Sequence, residues 1–271
     1  MRNFVRRFSL LLAMSSVLGI AASAQTPAKT ADTSAAAASS VALPSADLVL
    51  RHYYEAIGGR AAWEKLHSRV SKGTIEIPAM NNLSGTIEVH MKAPNSILLV
   101  INVGGAVIRQ GFDGTTAWSD DPRNGLRVLS GPELEDVKRE ANFYHALDLQ
   151  KIYPKLTVVG TERIRDNDAY VVEATSAEGG DPDKLYFDAK SGLEVRSVNR
   201  RHTPDGTTEF TANIENYKEV DGIKLPFTVE QSSSQSAFTI TFTDIQHNLE
   251  LADTQFAKPA PEPTADPAPK Q

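Results

Sequence analysis

The spacing of apolar and polar positions along the chain changes twice, and those changes divide it into elements. Between Leu48 and Ile57 the apolar residues Val49, Tyr53 and Ile57 recur at the spacing of one helix face. Ser45 is placed to cap that helix and Asp47 lies in its first turn. Gly58-Gly59 ends it, because glycine accepts the left-handed conformation that closes a helix. A short second helix over residues 60–66 carries Trp63. From Arg69 the period falls to two. In the segments 74–77 and 86–92 every second residue is apolar, the pattern of strands with one dry and one wet face. Ile97 to Ile101 is continuously apolar, which predicts a strand covered on both faces. Val107-Ile108 and Thr116-Ala117-Trp118 predict two more strands around an Asp113-Gly114 turn.

The helical period then returns once. Ser130, Pro132 and Glu133 have the form of a capping box, and Leu134, Val137, Ala141, Tyr144 and Leu147 follow at helical spacing up to Tyr153-Pro154. This predicts one long helix over residues 130–152. Strands resume at residues 156–159, 169–175, 184–188, 193–198, 208–214, 227–231 and 238–245, with hairpin turns at 188–192, 204–206 and 221–222. Strands that follow one another through tight turns exclude a parallel Rossmann or TIM-type sheet, which needs a helix at each crossover. The prediction is a mainly β (α+β) fold of about eleven strands in one meandering antiparallel sheet. A sheet of that length curls, giving a half-open β-barrel with the helical segments 45–66 and 130–152 as lid or plug.

The ends of the chain have a different character. Arg2, Arg6 and Arg7 precede an apolar run from Phe8 to Ile20, and Ala22-Ser23-Ala24 supplies small residues for cleavage near Ala24. Residues 1–24 are therefore expected to be a signal peptide, too short in its apolar run to match the ~20 residues of a membrane-spanning helix. The expected protein is periplasmic, without stable membrane insertion. Residues 25–43 form an Ala/Ser/Thr-rich disordered linker, 44–258 the folded domain and 259–271 a Pro/Ala-rich disordered tail in this reading.

Composition narrows the function classes. None of the 271 residues is cysteine, so disulfides, thiol chemistry and cysteine-based metal sites are excluded. Loss of residues 1–24 removes three arginines and no acid, leaving 25 basic residues against 34 acidic and a net charge near −9. A chain of that sign, with no basic cluster, is repelled by phosphate backbones; nucleic acid is not an expected partner. There is no G-x-S-x-G elbow, H-E-x-x-H or P-loop. The histidines are scattered singly, and the acidic pairs Asp120-Asp121 and Asp181/Asp183 fall in predicted loops. The sequence thus predicts no catalytic residue, cofactor or metal, and a protein that is not an enzyme.

What remains is an apolar inner face. The predicted strands turn Ile75, Ile87, Val89, Leu99, Phe187 and Phe210 inward, followed by Phe227, Phe238, Ile240 and Phe242. Tyr53, Trp63 and Trp118 complete this candidate ligand-binding set. The same residues can form a cavity lining or a closed core, and the sequence leaves that choice open. Inserting about ten methylenes there at ~0.8 kcal/mol each gives about 8 kcal/mol, near micromolar affinity.

The element order, together with the segments Lys184-Leu185-Tyr186-Phe187-Asp188-Ala189-Lys190-Ser191-Gly192-Leu193-Glu194-Val195-Arg196 and Glu219-Val220-Asp221-Gly222-Ile223-Lys224-Leu225-Pro226-Phe227, resembles the LolA/LolB-type outer-membrane lipoprotein-sorting proteins and their periplasmic relatives. The resemblance covers residues 45–258. It implies a half-open barrel with a helical lid, whose concave face holds the acyl chains of a lipid or lipoprotein in transit. A related branch with this fold senses mislocalised lipoproteins, which implies an alternative: an envelope interaction or stress-sensing module with a filled barrel and a protein partner.

Overall fold

The structure, a computed structural model, describes residues 42–260 except 178, 180, 204, 205 and 235. The expected signal peptide, nearly all of the linker and most of the tail lie outside the described residues. So do two residues of the 204–206 turn.

Among the described residues, thirteen strands form a single antiparallel sheet. The first six are β1 (Ser68–Ile77), β2 (Leu83–Lys92), β3 (Ser96–Val103), β4 (Ala106–Phe112), β5 (Ala117–Asp121) and β6 (Gly125–Val128). The other seven are β7 (Lys155–Ile164), β8 (Asn167–Thr175), β9 (Asp183–Asp188), β10 (Glu194–Thr203), β11 (Gly206–Val220), β12 (Ile223–Ser232) and β13 (Ala237–His247). Their order is β6-β5-β4-β3-β2-β1-β13-β12-β11-β10-β9-β8-β7. The sheet is thus two meanders zipped together where β1 pairs with β13, and its free edges are β6 and β7. Those edge strands are consecutive in the chain, so the segment joining them has to cross from one margin of the curled sheet to the other.

That segment holds α3 (Gly131–Ala141) and α4 (Leu149–Ile152), and α1 (Ala46–Ala56) and α2 (Arg60–Trp63) precede β1. Val49, Tyr53 and Ile57 are all buried, as the helical spacing predicts, and Leu50 is buried beside them. Ser45 caps α1 by accepting from the Leu48 amide. Gly58 (φ 107°) then turns the chain where a Cβ would lie 2.4 Å from the Gly222 carbonyl, which explains a glycine against the β11–β12 turn. The Lys224 amide donates to Ile57 O at 3.1 Å and the Trp63 indole donates to the same carbonyl at 3.2 Å, so the end of α1 is tied to the sheet.

Two expectations need correction. The strand β6 was not predicted, since Gly125-Leu126-Arg127-Val128 is too short and polar to show a period. The predicted long helix is broken: α3 stops at Ala141, Asn142 turns the chain, and the Phe143 amide donates to Pro94 O at 3.0 Å. Tyr144 and Leu147 reach the core from a 3-10 turn (His145–Leu147), not from a continuous helix. Ser130 makes no side-chain cap, and the Glu133 carboxylate, the other half of the expected capping box, is engaged instead by a bidentate pair of hydrogen bonds from Arg127 at 2.8 Å each.

Candidate functional site

Directly opposed residues in an antiparallel sheet share a face, so register assigns every strand residue to one side. One cross-strand row runs Ile87, Gly73, Phe242, and the next runs Ile75, Ile240, Val229, Ile214. A third row runs from Val89 to Leu99 and then Gln110. Phe238 is opposite Gln231, whose row continues through Ala212 and Ser197 to Leu185 and Val172 beneath α1. Phe227 and Phe210 share that side by alternation, and Phe187 packs on Tyr53 with ring centroids 5.0 Å apart. Ten predicted strand residues therefore share the concave face, and Tyr53 and Trp63 descend onto it from the helices.

Trp118 does not join them. It is opposite Gly111, on the outer face, and a Cβ at Gly111 would sit 2.5 Å from its indole ring. Its indole donates to Phe256 O at 2.8 Å, and Phe256 is fully buried. The C-terminal segment covers this outer face: Leu249 O accepts from Ser68 Oγ at 2.7 Å and Leu251 O accepts from Lys92 Nζ at 2.9 Å. In Thr116-Ala117-Trp118 the alternation allows either Ala117 or Trp118 inside; the strap decides for Ala117.

The concave face has two unlike halves. Under α1, α2 and the 143–153 segment it is filled, with Tyr53, Trp63, Phe187 and Phe227 in one buried cluster and Val89 and Phe242 packed against it. Beyond that cover, Leu99, Ile101, Ile108, Ile214, Val229, Phe238 and Ile240 are only half buried, forming a continuous apolar strip from β4 to β13 and on to β11. Ile75 and Ile87 are buried at 5% and 2% exposure and floor the strip. Phe210 is capped by Arg201, whose guanidinium carbon lies 5.5 Å from the ring centroid. The continuously apolar segment of β3 is sealed on neither side: Leu98 and Val100 on its outer face are also half buried.

Helix α3 lies along the margin between these halves, held differently at its two sides. Toward β4 and β5 the contact is apolar, through Phe112, Ala117, Leu129, Val137 and Ala141. Toward β10 it is polar: buried Asp136 accepts from the His202 amide at 2.6 Å and lies 3.0 Å from His202 Nδ1, and Glu140 pairs with Arg201 at 3.2 Å. Arg139 also pairs with Asp136. A polar pocket of about 150 Å³ adjoins this contact, lined by Arg139, Asp183, Arg200 and His202 among others.

Sequence reasoning missed two ionisable residues that the strands turn inward. Glu194 is opposite Phe187, and burial pushes its carboxyl up to about 8. Arg69 is opposite Met91 and His247, and burial lowers its guanidinium to about 10. Neither has an ion-pair partner among the described residues. The acidic pairs singled out from sequence have structural partners: Asp120 pairs with Arg109 at 2.5 Å, Asp121 caps its own turn, Asp181 pairs with Arg200 and Asp183 accepts from Tyr153. No group of three acidic or histidine side chains able to hold a metal occurs among the described residues. No helix among them is long and apolar enough to cross a membrane.

A sheet open between β6 and β7, helices on its concave side and a crossover joining its edges have counterparts among solved structures. A LolA superfamily protein from Nitrosomonas europaea aligns over 80% of this chain and 99% of its own, with TM-score 0.52 and 17% identity. The chain has a LolA-like fold. A DUF1329 family protein from Desulfovibrio piger shares it over 78% of this chain and 95% of its own, with TM-score 0.52 and 14% identity. No protein-family model matches the sequence, and no curated protein is detectably similar to it. The LolA-like relation is therefore one of architecture, and the half-barrel with a helical element expected from the strand pattern is the architecture observed.

Proposed function

We propose that the protein is a non-catalytic, carrier-like periplasmic protein that holds the acyl chains of a lipid or acylated lipoprotein on its concave face. The observation that carries this reading is the strip of half-buried apolar side chains centred on Leu99, Ile101, Ile108 and Ile240. Apolar surface of that continuity on a concave wall is favourable to cover, at about 25 cal/mol per Å² removed from water. The LolA-like fold and the expected signal peptide are consistent with transfer in the periplasm; fold by itself does not fix function.

Native mass spectrometry of the chain after incubation with liposomes or an acylated peptide tests the proposal. Bound lipid retained through buffer exchange is the expected result. A chain that carries no lipid and acquires none overturns it. The alternative, an envelope interaction or stress-sensing module, is favoured by the filled half beneath α1. It requires a protein partner in a pull-down and no uptake of a fluorescent fatty acid.

A further inference from the structure

At the covered end of the concave face, two polar side chains on neighbouring strands keep hydrogen-bonding capacity that no described residue uses in full. Arg69 on β1 and His247 on β13 are directly opposed, so their side chains emerge together on the concave side. Among the described residues the Arg69 guanidinium has one polar contact, to the thioether of Met91 at 2.9 Å, and no carboxylate. His247 is engaged at Nδ1 by Asp221 at 2.8 Å, while its Nε2 is sealed from solvent and has no partner. Because Asp221 accepts the Nδ1 proton, Nε2 presents a lone pair. Taking a guanidinium out of water without an anion costs several kcal/mol, which a carboxylate or phosphate ligand would offset.

The surroundings orient such a ligand. From Arg69 the inward positions of β1 continue through Ser71 and Gly73, the two smallest side chains of the row, to Ile75 at the edge of the apolar strip. At ~3.3 Å per residue, Arg69 to Ile75 spans about 20 Å, enough for an acyl chain of one leaflet, about half of the ~30 Å bilayer core.

We infer that Arg69 and His247 form an acid-recognition subsite for an amphiphile with a carboxylic or phosphate-monoester head, whose single acyl chain lies along the strip toward Ile75 and Ile240. The head-group oxyanion accepts from the Arg69 guanidinium; a singly ionised phosphate monoester donates its remaining proton to His247 Nε2, whereas a carboxylate, which has no proton left, is held by Arg69 alone. This rests on the acyl-binding reading above and adds the head group to it.

Displacement of a fluorescent apolar probe from the full chain tests the subsite with three sixteen-carbon ligands: palmitate, hexadecyl phosphate and hexadecanol. Wild type is expected to bind both acids more tightly than the alcohol, and the tighter of the two acids identifies the head group. Arg69→Met, which matches the apolar surroundings and is expected to fold, weakens both acids by tenfold or more and leaves hexadecanol unchanged. Arg69→Lys keeps the charge and retains part of the preference, and His247→Phe weakens hexadecyl phosphate by about fivefold while leaving palmitate unchanged. Hexadecanol binding together with acid affinities that Arg69→Met does not change overturns the subsite but leaves acyl binding standing. Failure of all three ligands to bind wild type overturns acyl binding, and the subsite with it.

Discussion

Glu194 owes its burial to a single irregularity in a strand. Strict alternation would place Glu194 and Arg196 together on the outer face, but the register between β9 and β10 shifts between them. Glu194 turns in opposite Phe187 beside Tyr53, and Arg196 turns out to stack 5.8 Å from the Tyr186 centroid. Arg69 was equally hidden, because an arginine in the mostly polar run His67-Ser68-Arg69-Val70-Ser71-Lys72 has the sequence signature of a wet strand face. Unfolded, the Glu194 carboxyl titrates near 4.5; folded, near 8. Between those values the folded chain keeps a proton that the unfolded chain has released, so stability falls as pH rises through that window. Glu194→Gln should stabilise the protein by about 2 kcal/mol at pH 8 and by almost nothing at pH 4, read from urea unfolding at the two pH values. A second residue-scale test is Gly111→Ala, whose methyl meets the Trp118 ring and should destabilise by about 2 kcal/mol with a changed tryptophan emission.

Helix α3 shows what the periodic pattern conveys and what it omits. Leu134, Val137 and Ala141 predicted an apolar stripe, and that stripe packs on Phe112, Ala117 and Leu129. The polar side of the helix carries no such signal, since Asp136, Arg139 and Glu140 resemble any solvated face until β10 is brought beside them. Their contacts are nonetheless what ties α3 to the second meander. Asp136→Ala removes the acceptor from the His202 amide and leaves Arg139 without its carboxylate, a loss of about 2 kcal/mol in thermal or urea unfolding. Because the natural chain has no cysteine, a Glu140→Cys/Arg201→Cys pair joined by a bifunctional methanethiosulfonate spanning the length of the Glu–Arg pair offers a clean lock. Cross-linking should slow uptake of a fluorescent fatty acid at least tenfold if α3 moves to admit the chain, and reduction with dithiothreitol, which cleaves the cross-linker's disulfides, should restore it.

At the scale of the whole molecule, topology explains why so much of this fold was legible and where legibility ended. Neighbouring strands of the sheet are nearly always neighbours in the chain, so turn signals such as Asp113-Gly114 and Asp221-Gly222 disclose the pairing directly. The exception among the pairings is β1 with β13, which closes about 170 residues of chain between Gly73 and Phe242 and has no local signature. The C-terminal strap has none either: residues 249–256 lack a period, yet they place Phe256 on Trp118 and fasten the outer face of the first meander beside that long-range pairing. If the strap holds the first meander in place and does more than cover it, its loss should cost more than one buried ring. Phe256→Ala is expected to destabilise by about 3–4 kcal/mol and to shift tryptophan emission to the red, because Trp118 gains water while Trp63 stays buried. Truncation after Asn248 should produce the same red shift and a larger loss of stability, since the carbonyls of Leu249, Leu251 and Phe256 leave Ser68, Lys92 and Trp118 without their acceptors. Unchanged emission in both variants would show that the outer face of the sheet does not depend on the strap.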